Sequence, residues 1–133
     1  KDANSTEIEP NTKNPIVDLL PEQKNVLGMG GSLRLGANDI VIKSNTITHK
    51  IYNADKISKR HRHRYELNKP YIPEFEKHGM IFSAESDNGK RMEVLEIPAH
   101  KFYLGVQFHP EFNSRPGYPE QAFEAFVIAA SQK

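Results

Sequence analysis

Apolar residues are spread unevenly along the chain, and their spacing divides it into a sparse amino-terminal third and a more regular remainder. From Lys1 to Gly36, Asn, Pro and Gly dominate (Pro10, Pro15, Pro21, Gly28, Gly30, Gly31), and only Pro15–Leu20 reads as a short strand or a turn of helix. Asn38–Lys43 follows as a strand. Its Ile40, Val41 and Ile42 form a continuous β-branched run of the kind that sheets bury on both faces. Thr46–Tyr52 continues in the same β-like vein. Pro70–His78 predicts a short helix, with Pro73 in its first turn and Gly79 placed for a left-handed cap. Three β-like segments come next, Met80–Glu85, Arg91–Ile97 and Phe102–Phe108, and Ser86-Asp87-Asn88-Gly89 is a hairpin turn between the first two. The chain closes with a helix that starts from Pro119 at its first helical position. There Phe123, Phe126, Val127 and Ala130 recur at i, i+3, i+4 and i+7, an apolar face that must dock on something. Strands mixed with a closing amphipathic helix point to an α/β domain.

Length and charge narrow this picture. At 133 residues there is room for one core, and 18 Lys+Arg against 17 Asp+Glu leaves a formal charge of +1, so no global field holds a polyanion and anion binding must be local. The chain contains no cysteine, which excludes a disulfide framework, a thiolate zinc site and a thiol nucleophile on these residues. No apolar run approaches the roughly 18 residues that span a bilayer, and the polar start has no signal-like apolar region, so the chain reads as soluble. A mean hydropathy of −0.66 is low for so small a chain, which leads us to expect an incomplete domain.

The first constellation able to carry chemistry is Gln107-Phe108-His109-Pro110-Glu111. Along extended backbone His109 and Glu111 project to the same side, while Pro110 holds φ near −65°. A carboxylate that accepts one ring N–H fixes the tautomer, leaves the other nitrogen free to take a proton and stabilises the imidazolium. The plain alternative is a strand-end histidine beside a surface glutamate. This string resembles the carboxyl-terminal catalytic motif of the class I glutamine amidotransferases, in which the His and Glu complete a Cys-His-Glu triad.

The second constellation is Arg60-His61-Arg62-His63-Arg64-Tyr65-Glu66-Leu67-Asn68. If extended, it sets Arg60, Arg62 and Arg64 on one side and His61 and His63 on the other, a face of guanidinium forks suited to carboxylate or phosphate. Read plainly it is a solvated basic loop. A metal site on His61 and His63 lacks thiolates or a dense carboxylate cluster, and a nucleic-acid patch has only Tyr65 as an adjacent aromatic. The string is similar to one in the glutaminase domain of the CTP synthases. That resemblance assigns Arg64, and with it Tyr65, to holding the substrate L-glutamine, an arginine fork being matched to the α-carboxylate of a free amino acid. Asp2–Glu7 resembles the segment whose glutamate meets the glutamine α-ammonium, here Glu7. Met29-Gly30-Gly31-Ser32-Leu33-Arg34-Leu35-Gly36 resembles the family's glycine-rich segment, with Ser32 a mild departure. It has no phosphate-cradle spacing and reads as a tight turn. Phe112–Pro116 carries the likeness to residue 116.

The resemblance implies an open mixed, largely parallel sheet flanked by helices, with residues 1–133 as the carboxyl-terminal part of a glutaminase domain. The nucleophilic cysteine and the synthetase domain would then lie in other parts of the polypeptide. It also implies a partner synthetase domain using ATP and Mg²⁺ to aminate UTP to CTP with the released ammonia, with no cofactor on this chain itself. A cytoplasmic, homo-oligomeric enzyme without nucleic-acid or membrane partners is expected. The competing readings are a thiol-less glutamine sensor or scaffold, and anion or nucleic-acid binding through Arg60–Arg64. Both the Phe123–Ala130 face and the Ile40–Ile42 strand are expected to be incompletely covered.

Overall fold

The computed structural model describes residues 2–19 and 33–132, so the Met29-Gly30-Gly31-Ser32 part of the glycine-rich segment lies outside the described residues. In chain order the elements are β1 (Ala3–Ser5), β2 (Asn14–Leu19), β3 (Arg34–Ile42), α1 (Ile47–Tyr52), β4 (Lys56–His63), β5 (Tyr65–Leu67), α2 (Ile72–Lys77), β6 (Ile81–Ser86), β7 (Arg91–Glu96), β8 (Leu104–Val106) and α3 (Gln121–Ser131). Short 3₁₀ turns occupy Lys69–Tyr71 and Pro110–Asn113. No helix among the described residues is long and apolar enough to cross a membrane.

The strands form two sheets, a small one ordered β1-β2-β5 and a larger one ordered β4-β3-β6-β7-β8. The pairing is mixed as expected. Among the described residues β1 and β2 run parallel while the other neighbours are antiparallel, so these strands do not themselves carry a largely parallel core. The β3–β4 ladder is the longest, from Arg34 opposite His63 to Val41 opposite Lys56. Antiparallel strands need only one covered face. Accordingly β3 alternates: Ile40 and Ile42 are buried by this chain, whereas Val41 is 52% exposed. This corrects the expectation of a strand buried on two faces; with Val41 half exposed, the Ile40–Ile42 strand is incompletely covered, as expected.

Thr46–Tyr52 is also corrected, from strand to the capped helix α1. The Thr46 hydroxyl accepts from the His49 N–H, and Asn53 closes the helix in the left-handed region at φ 47°. The buried Glu96 carboxylate accepts from the N–H groups of Ile47 and Thr48, each at 3.0 Å. That carboxylate occupies the positive end of the helix and overrides the β-propensity of Ile47, Thr48 and Ile51.

α1 and α3 cover one face of the larger sheet, where Ile40, Ile42, Tyr52, Ala84, Val94, Phe108 and Ala122 form the core. Each large aliphatic side chain buried there contributes roughly 1.5–3 kcal/mol. α3 begins two residues later than its sequence predicts. Glu120 is the cap, its carboxylate accepting from the Ala122 N–H at 2.8 Å, which leaves Pro119 just outside the helix. Ala122 faces the core, while Phe123, Phe126 and Val127 are 41%, 56% and 63% exposed. The apolar stripe is present as predicted and is incompletely covered, also as predicted.

One feature of the topology places the site. β4 belongs to the larger sheet and β5 to the smaller, and Arg64 alone separates them.

Candidate active site

After β8 the chain stays on the larger sheet, the Gln107 N–H donating to the Glu93 carbonyl and the His109 N–H to the Arg60 carbonyl, both at 2.9 Å. Phe108 and Pro110 are buried on either side of His109, which anchors the backbone of the half-buried imidazole between them. Pro110 then opens the 3₁₀ turn. His109 and Glu111 therefore meet through a turn and not through strand alternation, because a φ near −65° suits the first residue of a helical turn. Their side chains lie 2.7 Å apart, Nδ1 to Oε1. The carboxylate accepts, so Nδ1 carries the hydrogen and Nε2 presents its lone pair. Nε2 has no hydrogen-bond partner among the described residues. The bond from His109, together with its own backbone N–H, holds the Glu111 carboxyl below the usual carboxylate range. The Phe112 ring packs 5.5 Å from the imidazole and in turn lies 5.7 Å from the Arg60 guanidinium.

Glu7, Arg64 and Tyr65 line one cleft of about 550 Å³, together with His63, Gln107 and the apolar walls Val17 and Leu95. The structure thus gathers the residues predicted to hold an amino acid. Neither the Arg64 guanidinium nor the Glu7 carboxylate has an ion-pair or hydrogen-bond partner among the described residues. A cation and an anion facing one cleft with their charges unspent match the two charged groups of a free amino acid. His109 and Glu111 are not among the lining residues. The link is Gln107, which lines the cleft two residues before His109, and β4, which carries both Arg60 and the approach to Arg64.

Extended backbone at residues 56–63 confirms the alternation read from the sequence: Arg60 and Arg62 are exposed and His61 is buried. What the sequence did not reveal is what His61 meets. Its Nε2 lies 2.8 Å from Glu93 Oε2, and Glu93 Oε1 accepts from Arg34 Nη1 at 2.7 Å and from the Ser86 hydroxyl. Burial pushes the Glu93 carboxyl up, but its bonds to His61 and Ser86 and the charge of Arg34 outweigh that and bring it down to about 2. Neighbouring His63 is lowered to about 4, by burial first and then by the Arg34 and His61 charges, against the opposing pull of the Tyr65 carbonyl. No group of three or more His, Asp or Glu among the described residues could hold a metal ion. The only hint of Glu93 in the sequence was an acid standing among the apolar residues of Arg91–Ile97.

Residues 14–129 match the family described as glutamine amidotransferase class-I. The chain belongs to that family. It is 54% identical over 129 residues to the CTP synthase of Archaeoglobus fulgidus, covering 97% of this chain and 24% of that protein. It is 50% identical over 129 residues to the CTP synthase of Staphylococcus saprophyticus, again covering 97% of this chain and 24% of that protein. The chain therefore spans about a quarter of the length of these curated relatives. Among solved structures, the Trypanosoma brucei CTPS glutaminase domain with bound acivicin matches with a TM-score of 0.90 and 37% identity, over 99% of this chain and 52% of that one. The class I amidotransferase fold, with mixed sheets flanked by helices, is thereby shown for these residues.

Proposed function

We propose that residues 1–133 are the carboxyl-terminal part of the glutaminase domain of a CTP synthase, supplying the base, its orienting carboxylate and part of the glutamine pocket. The observation that carries this reading is the 2.7 Å contact between His109 Nδ1 and Glu111, which leaves Nε2 free to move a proton. Arg64 and Glu7 hold the α-carboxylate and α-ammonium of L-glutamine, with Tyr65 beside them. The chain has no cysteine, so the thiol must come from another part of the polypeptide.

In the first half-reaction His109 Nε2 takes the thiol proton as sulfur attacks the side-chain amide carbon, and gives it to the departing nitrogen, so that ammonia leaves and a thioester remains. In the second, Nε2 takes a proton from water as the oxygen attacks the thioester, and returns it to sulfur, releasing glutamate. Glu111 steadies the imidazolium in both. Ammonia passes to a synthetase domain that aminates UTP to CTP with ATP and Mg²⁺. In this reading ATP and Mg²⁺ belong to the synthetase domain, and no residue of this chain is assigned to them. The intact enzyme is cytoplasmic and homo-oligomeric in this reading.

Replacing His109 with alanine in the full-length protein tests it. Glutamine-dependent CTP formation is expected to vanish while formation from added ammonia persists. Equal loss of both activities, or survival of both, overturns the role given to His109.

A further inference from the structure

Arg64 carries the load of the glutamine reading, yet no side chain among the described residues holds it. Its direction must come from its backbone. Residue 64 is the single link between a strand of the larger sheet and a strand of the smaller one, so small changes in the torsions flanking it would swing the guanidinium across the cleft.

Across this link one side chain closes a bridge. His63 Nδ1 lies 3.0 Å from the carbonyl oxygen of Tyr65, two residues on, spanning Arg64 from one side to the other. A carbonyl only accepts, so Nδ1 carries the hydrogen and Nε2 the lone pair. The far side of the ring agrees with that assignment: Arg34 Nη1, a donor, stands 3.5 Å from Nε2. Arg34 is itself bonded to Glu93 and Ser86, at 2.7 Å and 3.0 Å, so the imidazole is backed by a cation with its own buried partners. That cation, the His61 ring 5.5 Å away and burial all oppose a charge on His63. The same Tyr65 carbonyl also accepts from Gln107 Nε2 at 3.4 Å, two residues before His109. Tyr65, Glu66 and Leu67 are in turn paired with Leu19, Asp18 and Val17 in the β2–β5 ladder, so the chain is held on the far side of Arg64 and the His63 bridge ties the near side to it.

We infer that His63 is a positioning residue: by donating from Nδ1 to the Tyr65 carbonyl it locks the crossing between the two sheets and aims Arg64 into the cleft. This rests on the proposed role of Arg64 in holding the glutamine carboxylate. His63 touches no substrate in this scheme and acts through the backbone of its neighbours. Because Gln107 shares the acceptor, the bridge also sets the spacing between the amino-acid end of the cleft and the segment bearing His109.

The full-length protein carries the test, with glutamine-dependent rates normalised to the ammonia-dependent rate of the same preparation. Asparagine presents its amide nitrogen where Nδ1 lies, whereas glutamine presents its own where Nε2 lies. His63→Ala and His63→Gln are expected to raise the glutamine KM roughly tenfold, the value of one hydrogen bond, with kcat within about twofold, and His63→Asn to return KM to within about threefold of the parent. An unchanged KM in His63→Ala, or a His63→Asn variant no better than His63→Gln, overturns the inference. Should His63→Ala fail to fold, the contrast between the Asn and Gln variants still decides. Arg64→Ala, run alongside, separates the two levels. A raised KM there with no effect at His63 sinks only the bridge, while an unchanged KM there sinks the reading on which the bridge rests.

Discussion

The charges inside this molecule and the charges around its cleft are treated in opposite ways. Glu93, Glu96 and Glu120 are almost fully buried, and each is saturated. Glu93 takes Arg34, Ser86 and His61; Glu96 takes the start of α1; and Glu120 takes Lys59, the Tyr52 hydroxyl and the Ala122 N–H. Lys59, buried beside Glu120 at 2.7 Å, also lies over the Tyr52 ring. On the cleft, Glu7 and Arg64 have no such partners among the described residues, and outside its lining His109 offers a bare Nε2. An unpaired charge in the interior costs several kcal/mol, while one in contact with water costs little. The interior charges are therefore committed to holding the fold, and the outer ones stay available to a ligand.

The contrast can be broken most forcefully at Glu93. Glu93→Ala strands His61 and Arg34 without their acceptor and is expected to cost about 3–5 kcal/mol, read as a lowered unfolding midpoint. A loss below about 1 kcal/mol would mean that the interior pairs are not what holds the fold. The same carboxylate predicts an acid limit. Its pKa is depressed from 4.5 to about 2, so its stabilisation is complete above the unfolded value and is lost as pH falls through the folded one. The midpoint should drop between those pH values in the parent, and a Glu93→Gln variant should lack that part of the drop. Tyr52→Phe is a gentler probe, since Glu120 keeps Lys59 and the Ala122 N–H; about 1 kcal/mol is expected. Least of all should happen to stability among the outer charges. Glu111→Ala should leave the unfolding midpoint within error while slowing glutamine turnover in the full-length protein by about 100-fold or more. A large stability loss there would blur the division between the two sets of charges.

What could be read in advance follows the same division between near and far. The strands around residues 80–106, the short helix before Gly79 and the Asp87–Gly89 turn are set by local spacing, and Gly79 does adopt a φ of 87°. Thr46–Tyr52 was misread because its β-branched residues favour a strand, whereas the carboxylate that settles it as a helix sits 48 residues away from Thr48. β1, three residues long and paired in parallel with β2, has too little pattern to betray itself. Within the site, His109 and Glu111 were visible because only Pro110 separates them. Glu7 and Arg64 were singled out by resemblance alone, which did not reveal the cleft they share. Glu93 with His61 and Glu120 with Tyr52 were hidden, since their partners lie 32 and 68 residues apart. Two-residue spacings speak for themselves; contacts made by folding do not.

The aromatic stripe of α3 has a practical consequence. Phe123, Phe126 and Val127 offer water a run of adjoining hydrocarbon on a well-formed helix, with the Phe102 ring tilted against Phe126. Material confined to these residues should behave as an adhesive particle, its light scattering climbing with concentration and subsiding when a mild detergent coats that one helix.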